Sequence, residues 1–372
     1  ALVLLVLAGC QPAVTPTITT ESSPIPSETA QVTSPPTAAG SNWWDEAVFY
    51  EIFVRSFKDS DGDGIGDFQG IIQQLDYLND GDPNSTDDLG INAIWLMPIY
   101  PSPSYHGYDV TDYQDVNPDY GTLEDFQQLL EECHARGIRV IIDFVINHTS
   151  DKHPWFQAAL DPTSPYHEYY VWSETKPQGL GPLGQESWFK APNGKYYYAV
   201  FWSGMPDLNY NNPKVTEEIY AATQFWLEEG VDRFRVDAAR YLFEDGEMLQ
   251  DAPATIQWFQ DWRAFYKQIN PQAFTVGEVW TDTQYIARYG TPDGLDSLFI
   301  FDLADAFLNG LLTGNAAIPL KSYKDAIAYF PDYSFSTFLS NHDQTRVMTA
   351  LNEQEVKAKT AAFMYLTGPG IP

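Results

Sequence analysis

The sequence predicts an α/β fold built around a parallel sheet, and three observations carry the prediction. Runs such as I-N-A-I-W-L-M-P at 91–98 and I-R-V-I-I-D-F-V-I-N-H at 138–148 are near-continuously apolar, where a strand with one wet face would alternate. Amphipathic segments of helical spacing separate them, as a parallel sheet covered on both faces requires. Polar residues gather at the C-terminal ends of several strands, the face on which parallel barrels build sites. At 372 residues the chain has room for one α/β barrel with an inserted loop domain.

Bulk composition narrows the partners. Against 20 basic residues stand 51 acidic ones, a net charge of -31 that argues against nucleic acid or anionic lipid as ligands. Aromatics make up 15%, with 11 Trp and 23 Tyr, which suits stacking on sugar rings as well as a crowded core. Cys10 and Cys133 are the two cysteines, too few for a disulfide framework.

The opening A-L-V-L-L-V-L-A-G-C is too short to span a bilayer and ends in small residues and a cysteine. Its L-A-G-C resembles the lipobox of bacterial lipoproteins, which implies a signal segment at 1–10 and lipidation of Cys10. Residues 11–42, rich in Pro, Thr and Ser, have the composition of a disordered tether. The expected location is therefore extracytoplasmic, lipid-anchored to the bacterial cell envelope, with the membrane touched through Cys10 only.

From Trp43 the composition turns globular. A-V-F-Y-E-I-F-V-R-S-F at 47–57 is a strand-type run, followed directly by K-D-S-D-G-D-G-I-G-D-F. Oxygens recur there at Asp59, Asp61, Asp63 and Asp67, with Gly64 for a tight turn and the Ile65 carbonyl free to join them. That spacing fits Ca2+, a hard cation that collects oxygens from one curled segment; a metal-free Asp/Gly turn is the competing reading. The loop departs from an EF-hand at its twelfth position, where Gly70 replaces a bidentate glutamate.

Helical spacing covers 68–79, and D-P-N-S-T-D-D-L-G forms a loop before strand 91–98. After the irregular stretch 101–113, helix 122–136 leads into strand 138–148; Cys133, on that helix, reads as a buried thiol. Residues 149–212 break the rhythm with Trp, Tyr, Gly and Pro and a hairpin around Pro192-Asn193-Gly194, too long for an ordinary connection. They read as an inserted domain between barrel parts 43–148 and 213–372. Helix 213–229, strand 231–237, helix 253–269, strands 273–279 and 296–302, strand 334–343 and helix 353–366 follow. An eighth strand starts near residue 367, so the expectation is a truncated barrel with an open edge that folds poorly alone.

The chemistry centres on D-R-F-R-V-D-A-A-R, Asp232 to Arg240. Residues two apart share a strand face, so Arg235 and Asp237 project together while Phe234 and Val236 pack behind them. Glu278 in T-V-G-E-V-W and Asp343 in L-S-N-H-D stand at other strand ends. Glycoside hydrolysis needs two carboxyls, one protonated and one ionised. The apolar neighbours of Glu278 predict a raised pKa, and the cation beside Asp237 predicts the opposite.

D-F-V-I-N-H at 143–148, R-F-R-V-D at 233–237, G-E-V-W at 277–280 and L-S-N-H-D at 339–343 together resemble the α-amylase family of retaining glycoside hydrolases, over about residues 43–372. The resemblance implies a (β/α)8 TIM barrel with a domain B at 149–212. It implies Asp237 as nucleophile, Glu278 as acid then base, and Asp343 as a stabiliser that binds sugar hydroxyls. Arg235 would orient the nucleophile, His148 and His342 would contact the sugar, Tyr108 would stack beneath it, and Asp143 would brace the barrel mouth. The loop 59–67 is similar to that of oligo-1,6-glucosidase-like members.

Departures blur the substrate. Arg240 and Tyr241 stand where many α-amylases have lysine and histidine, which removes one ligand of a second calcium near Asn147 and Asp207. Asp109 stands where endo-acting members have tryptophan and where exo-acting α-glucosidases grip the terminal glucose. M-P-D-L-N at 205–209 is intermediate between the neopullulanase and oligo-1,6-glucosidase types. The expected activity is hydrolysis of α-glucosidic bonds in maltooligosaccharides or starch-type glucans. A transglycosylase of the same family and a catalytically silent glucan-binding lipoprotein are the alternatives.

Overall fold

The computed structural model describes residues 42–290 and 293–372; Cys10, its lipobox and the tether up to residue 41 lie outside them. Strands β1 (Phe49–Ile52), β2 (Ala93–Leu96) and β3 (Arg139–Phe144) come first, and β4 (Trp172–Ser173), β5 (Trp188–Lys190) and β6 (Tyr196–Tyr198) follow. The chain then forms β7 (Arg233–Val236), β8 (Phe274–Gly277) and β9 (Ser297–Leu298). The main sheet runs β1-β2-β3-β7-β8-β9 with every pair parallel. Helices between the strands cover its outer face, which gives the (β/α)8 barrel architecture.

The last two staves are reduced to single bridges, Phe299 to Ser336 and Ser336 to Ile371. The Thr337 amide donates to the Ile371 carbonyl at 2.8 Å, and the Phe49 amide donates to the Pro372 carbonyl at 2.8 Å. Main-chain bonding therefore passes from Ser336 through Ile371 and Pro372 back to β1. At this level the ring is bridged, where the sequence predicts an open edge.

Other boundaries also move. The strand expected at 334–343 pairs at Ser336, and the L-S-N-H-D segment beyond it is a loop whose Asn341 side chain accepts from the Asp343 amide. The run 47–57 stays extended only to Ile52, and Val54–Phe57 turns helical. Residues 68–79 split into helices Phe68–Ile72 and Leu75–Leu78. The strand at 296–302 gives way to helix Phe301–Thr313. The runs at 47–57 and 296–302 are apolar enough for either state, so packing rather than propensity selects the conformation there.

Longer helices follow their sequence signals closely. Leu123–Ala135 starts from a capping box, Thr122 with Asp125, and buries Phe126, Leu129, Leu130 and Cys133 along one stripe. Burial pushes the Cys133 thiol up to about 12, which leaves it an inert packing group. Pro213–Glu228 and Pro253–Ile269 each begin with proline at the first turn. They bury Trp226 and Trp262, whose indole N–H groups donate to the Tyr113 carbonyl at 2.7 Å and the Thr223 hydroxyl at 3.0 Å.

Within 149–212 lies a separate antiparallel sheet of order β4-β6-β5. Its β5–β6 turn contains Gly194 at φ 90, a conformation that suits glycine. The Tyr170–Leu208 bridge ties the interior of this stretch to its C-terminal end, and the His148–Asp207 bridge ties that end to the loop after β3.

Candidate active site

Strand register assembles the centre. Asp143 on β3 is the Cα partner of Arg235 on β7, which in turn pairs with Val276 on β8. Register partners in a parallel sheet project to the same face, so Asp143 and Arg235 meet inside the barrel mouth while Phe234 and Val236 are fully buried behind. Two residues on, Asp237 rejoins them. Ala238 follows at φ 49, a left-handed conformation rare for alanine, and its amide donates to Glu278 Oε2 at 3.1 Å. The kink thereby ties the end of β7 to the end of β8.

Arg235, 1% exposed, binds three carboxylates rather than one. Nη1 lies 2.7 Å from Asp143 Oδ1 and 2.7 Å from Asp237 Oδ1, and Nη2 lies 3.0 Å from Glu278 Oε2. This corrects the expected contrast between a cation-guarded Asp237 and an apolar-set Glu278. Burial raises the pKa of both, and Arg235 opposes the rise in both. Asp143 is raised to about 7, again by burial against the pull of Arg235. The expectation overlooked that a guanidinium has two ends and that β8 sits next to β7.

A second network enters from β1. Glu51 Oε1 lies 2.7 Å from His342 Nδ1, and His342 Nε2 lies 2.7 Å from the Tyr108 hydroxyl, which donates to Asp143 Oδ2 at 2.9 Å. Burial, the largest influence, lowers the His342 pKa, but the Glu51 hydrogen bond together with the charges of Asp343 and Glu51 makes the net shift upward. The Tyr108 ring stacks on His342 at 5.4 Å and an interplanar angle of 19°. Asp343 is exposed, with Oδ2 3.5 Å from His342 Nε2. Glu51 was missed from sequence; its one signal was an acid inside an aromatic strand run.

Asp237, Glu278, Asp343, Tyr108, His148 and His342 line a common cavity of about 880 Å3. Burial lowers the His148 pKa to about 4, and its Nε2 has no protein partner. It is thus a neutral imidazole with one nitrogen available to a ligand. Asp109 is placed differently. It is buried, accepts from Ser102 at 2.6 Å and from Ser104, and lies outside the cavity lining.

Arg240 lines the cavity, but its guanidinium is occupied by Asp251 and by the Trp280 carbonyl at 2.6 Å. Asn147 donates to Asp207 Oδ2 at 3.1 Å, and burial raises Asp207 to about 7. Glu244, absent from the sequence reading, is half-buried near Asp207 with its Oε1 buried and unpartnered, and the burial of its carboxyl raises its pKa.

In the acidic loop, ligand atoms of Asp59, Asp61 and Asp67 lie within 4.8 Å of one another, a possible metal-binding triad. Asp63 stands outside that group and accepts from the Ile65 amide at 2.7 Å. Asp59 accepts from the Gly62 and Gly64 amides, which hold its carboxyl below the usual range. Gly62 and Gly64 have φ of 89 and 94, so the tight turn expected at Gly64 begins two residues earlier. A Cβ on Gly70 would lie 1.9 Å from the Lys58 carbonyl oxygen, so no glutamate fits at the twelfth position.

Residues 51–372 match the family described as "Alpha amylase, catalytic domain". The chain is 45% identical over 335 residues to Alpha-amylase 3 of Dictyoglomus thermophilum, covering 89% of this chain and 63% of that protein. It is 42% identical over 233 residues to an oligo-1,6-glucosidase of Parageobacillus thermoglucosidasius, covering 60% of this chain and 40% of that protein. A trehalose synthase of Thermus thermophilus is 36% identical over 335 residues, covering 87% of this chain and 33% of that protein. The crystal structure of alpha-amylase from H. orenii superposes with a TM-score of 0.82 at 47% identity, covering 88% of this chain and 68% of that one. The chain thus spans less than two thirds of the length of these curated relatives. Barrel, carboxylate constellation and matched span together place it in the α-amylase family, as a catalytic domain of that family's glycoside hydrolases.

Proposed function

We propose that the chain is the catalytic part of a retaining α-glucan hydrolase that acts on maltooligosaccharides and starch-type substrates by double displacement. The observation that supports this is Arg235, whose two terminal nitrogens contact Asp237 and Glu278 at the rim of one cavity. Asp237 attacks the anomeric carbon and forms a β-glycosyl ester as the glycosidic C–O bond breaks. Glu278 gives its proton to the departing oxygen, then takes a proton from water as that water cleaves the ester.

The charge balance supports the switch. Burial, and after it the Asp237 carboxylate, hold the Glu278 pKa up against the pull of Arg235, which favours the protonated acid at the first step. Once Asp237 is an ester, that negative neighbour is gone and Glu278 becomes the weaker acid's opposite, a carboxylate ready to accept a proton. Asp343 binds sugar hydroxyls, Tyr108 forms the platform, His148 and His342 contact the sugar, His148 through its unpartnered Nε2, and Asp143 holds Arg235 and Tyr108 in place. Asp109, engaged by Ser102 and Ser104, reaches a terminal glucose only if those bonds exchange.

Asp59, Asp61 and Asp67 would hold Ca2+, with Asp63 and the Ile65 carbonyl completing the shell; the ion would fix the loop between β1 and the helix at Phe68. Domain B is proposed at 149–212, and Cys10 as the lipid anchor of an extracytoplasmic enzyme. The trehalose synthase relatives favour glycosyl transfer as a second reading. Incubation with maltoheptaose separates the two: shorter sugars alone support hydrolysis, and products longer than seven units support transfer. An Asp237→Asn variant is expected to lose at least about a thousandfold in activity on a nitrophenyl maltoside. Unchanged turnover would refute the nucleophile, whereas no turnover by the unmutated protein would favour the silent binder.

A further inference from the structure

Trp202 stands out among the cavity residues. It is 48% exposed, lines the same cavity as Asp237 and Glu278, and makes no ring–ring contact among the described residues. Its neighbours are by contrast tightly engaged. Phe201 packs on His148 at 5.3 Å and on Tyr241 at 5.7 Å. The Tyr197 hydroxyl donates to the Ser203 carbonyl at 2.7 Å, the Asp151 amide to the Gly204 carbonyl at 2.8 Å, and the Met205 amide to the Trp202 carbonyl at 2.9 Å. An open indole thus sits on a loop fixed from several directions.

Gly204 decides where the indole lies. A Cβ at that position would be 2.3 Å from Trp202 Cη2 and 2.4 Å from Cζ2. The six-membered part of the ring therefore rests against the glycine, in space that any other residue would fill. Gly204 is not in the left-handed region, so its value is this space rather than backbone freedom.

We propose that Trp202 is a stacking platform for a pyranose ring of the α-glucan other than the ring attacked by Asp237, and that Gly204 sets its pose. The proposal rests on the glucan-hydrolase reading. Tyr108, stacked on His342 beside the carboxylates, already serves the reacting ring. An indole face left open to the cavity matches the apolar C–H face of a further sugar, and contact there removes both surfaces from water.

The test uses the full chain with two substrates, maltoheptaose and α-glucosyl fluoride, which has a single sugar ring. Trp202→Ala is expected to lower kcat/KM on maltoheptaose about tenfold more than on the fluoride. Gly204→Ala should shift the ratio in the same direction by displacing the ring, and in a Trp202→Ala background it should add little. Equal losses on both substrates, a full Gly204→Ala effect without the indole, or wild-type maltoheptaose kinetics for Trp202→Ala would overturn the platform. Inactivity of the unmutated protein on both substrates would overturn the hydrolase reading instead. Calorimetric titration of maltoheptaose into both proteins then decides the platform: weaker binding to Trp202→Ala upholds it, and equal binding refutes it.

Discussion

Replacing Arg235 by methionine removes the cation that three buried carboxyl groups share while keeping much of its length. Its Nη1 contacts Asp143 and Asp237 at 2.7 Å each, and Nη2 contacts Glu278 at 3.0 Å. Burial already raises all three pKa values, and Arg235 is the largest opposing charge at each. Losing an opposite charge at contact distance raises a carboxyl pKa by roughly 1–3 units. The ionised nucleophile then forms at higher pH, so the acid limb of the pH–kcat/KM profile should move up by that amount. Breaking a buried ion pair costs about 3–5 kcal/mol at neutral pH. The sign of its pH dependence follows from linkage. Carboxyls whose folded pKa exceeds the unfolded value bind protons preferentially in the folded state, so the variant gains stability as pH falls through the raised folded values. Denaturant melts at several pH values and a pH–rate profile measure both effects. Arg235→Lys separates charge from shape: it should keep the acid limb near its original place while losing activity through the missing second contact. An Arg235→Met profile that coincides with the unmutated one would refute the shared-guard reasoning.

Two further outcomes are expected at the acidic loop. If the triad holds the proposed Ca2+, chelation should lower the melting temperature of the unmutated chain and leave an Asp59→Asn/Asp61→Asn variant little affected; equal shifts in both would refute the site. Gly70→Ala should destabilise by about 2–4 kcal/mol, since its Cβ meets the Lys58 carbonyl rather than a movable side chain. A melt within a degree of the unmutated protein would show that the helix at Phe68 can move away.

The alternation of apolar runs and amphipathic helices was legible because a parallel sheet buried on both faces leaves no other pattern. Helix Pro253–Ile269 ends where its sequence signals place it, and Leu123–Ala135 lies one residue inside the predicted bounds at each end. The pairing of Arg235 with Asp237 was legible too, since a two-residue period is local. Glu51, Glu244 and the engagement of Asp109 by two serines were not, because each depends on a partner set by packing.

The order of chemical groups along the chain therefore follows from local rules: strand period, capping and the spacing of oxygens in a turn. Which groups touch does not. Register between β3, β7 and β8 brings one guanidinium against three carboxylates, and the space at Gly204 determines where Trp202 lies. Those contacts join residues far apart in sequence, and their energies depend on burial and distance, which arise only when the barrel closes.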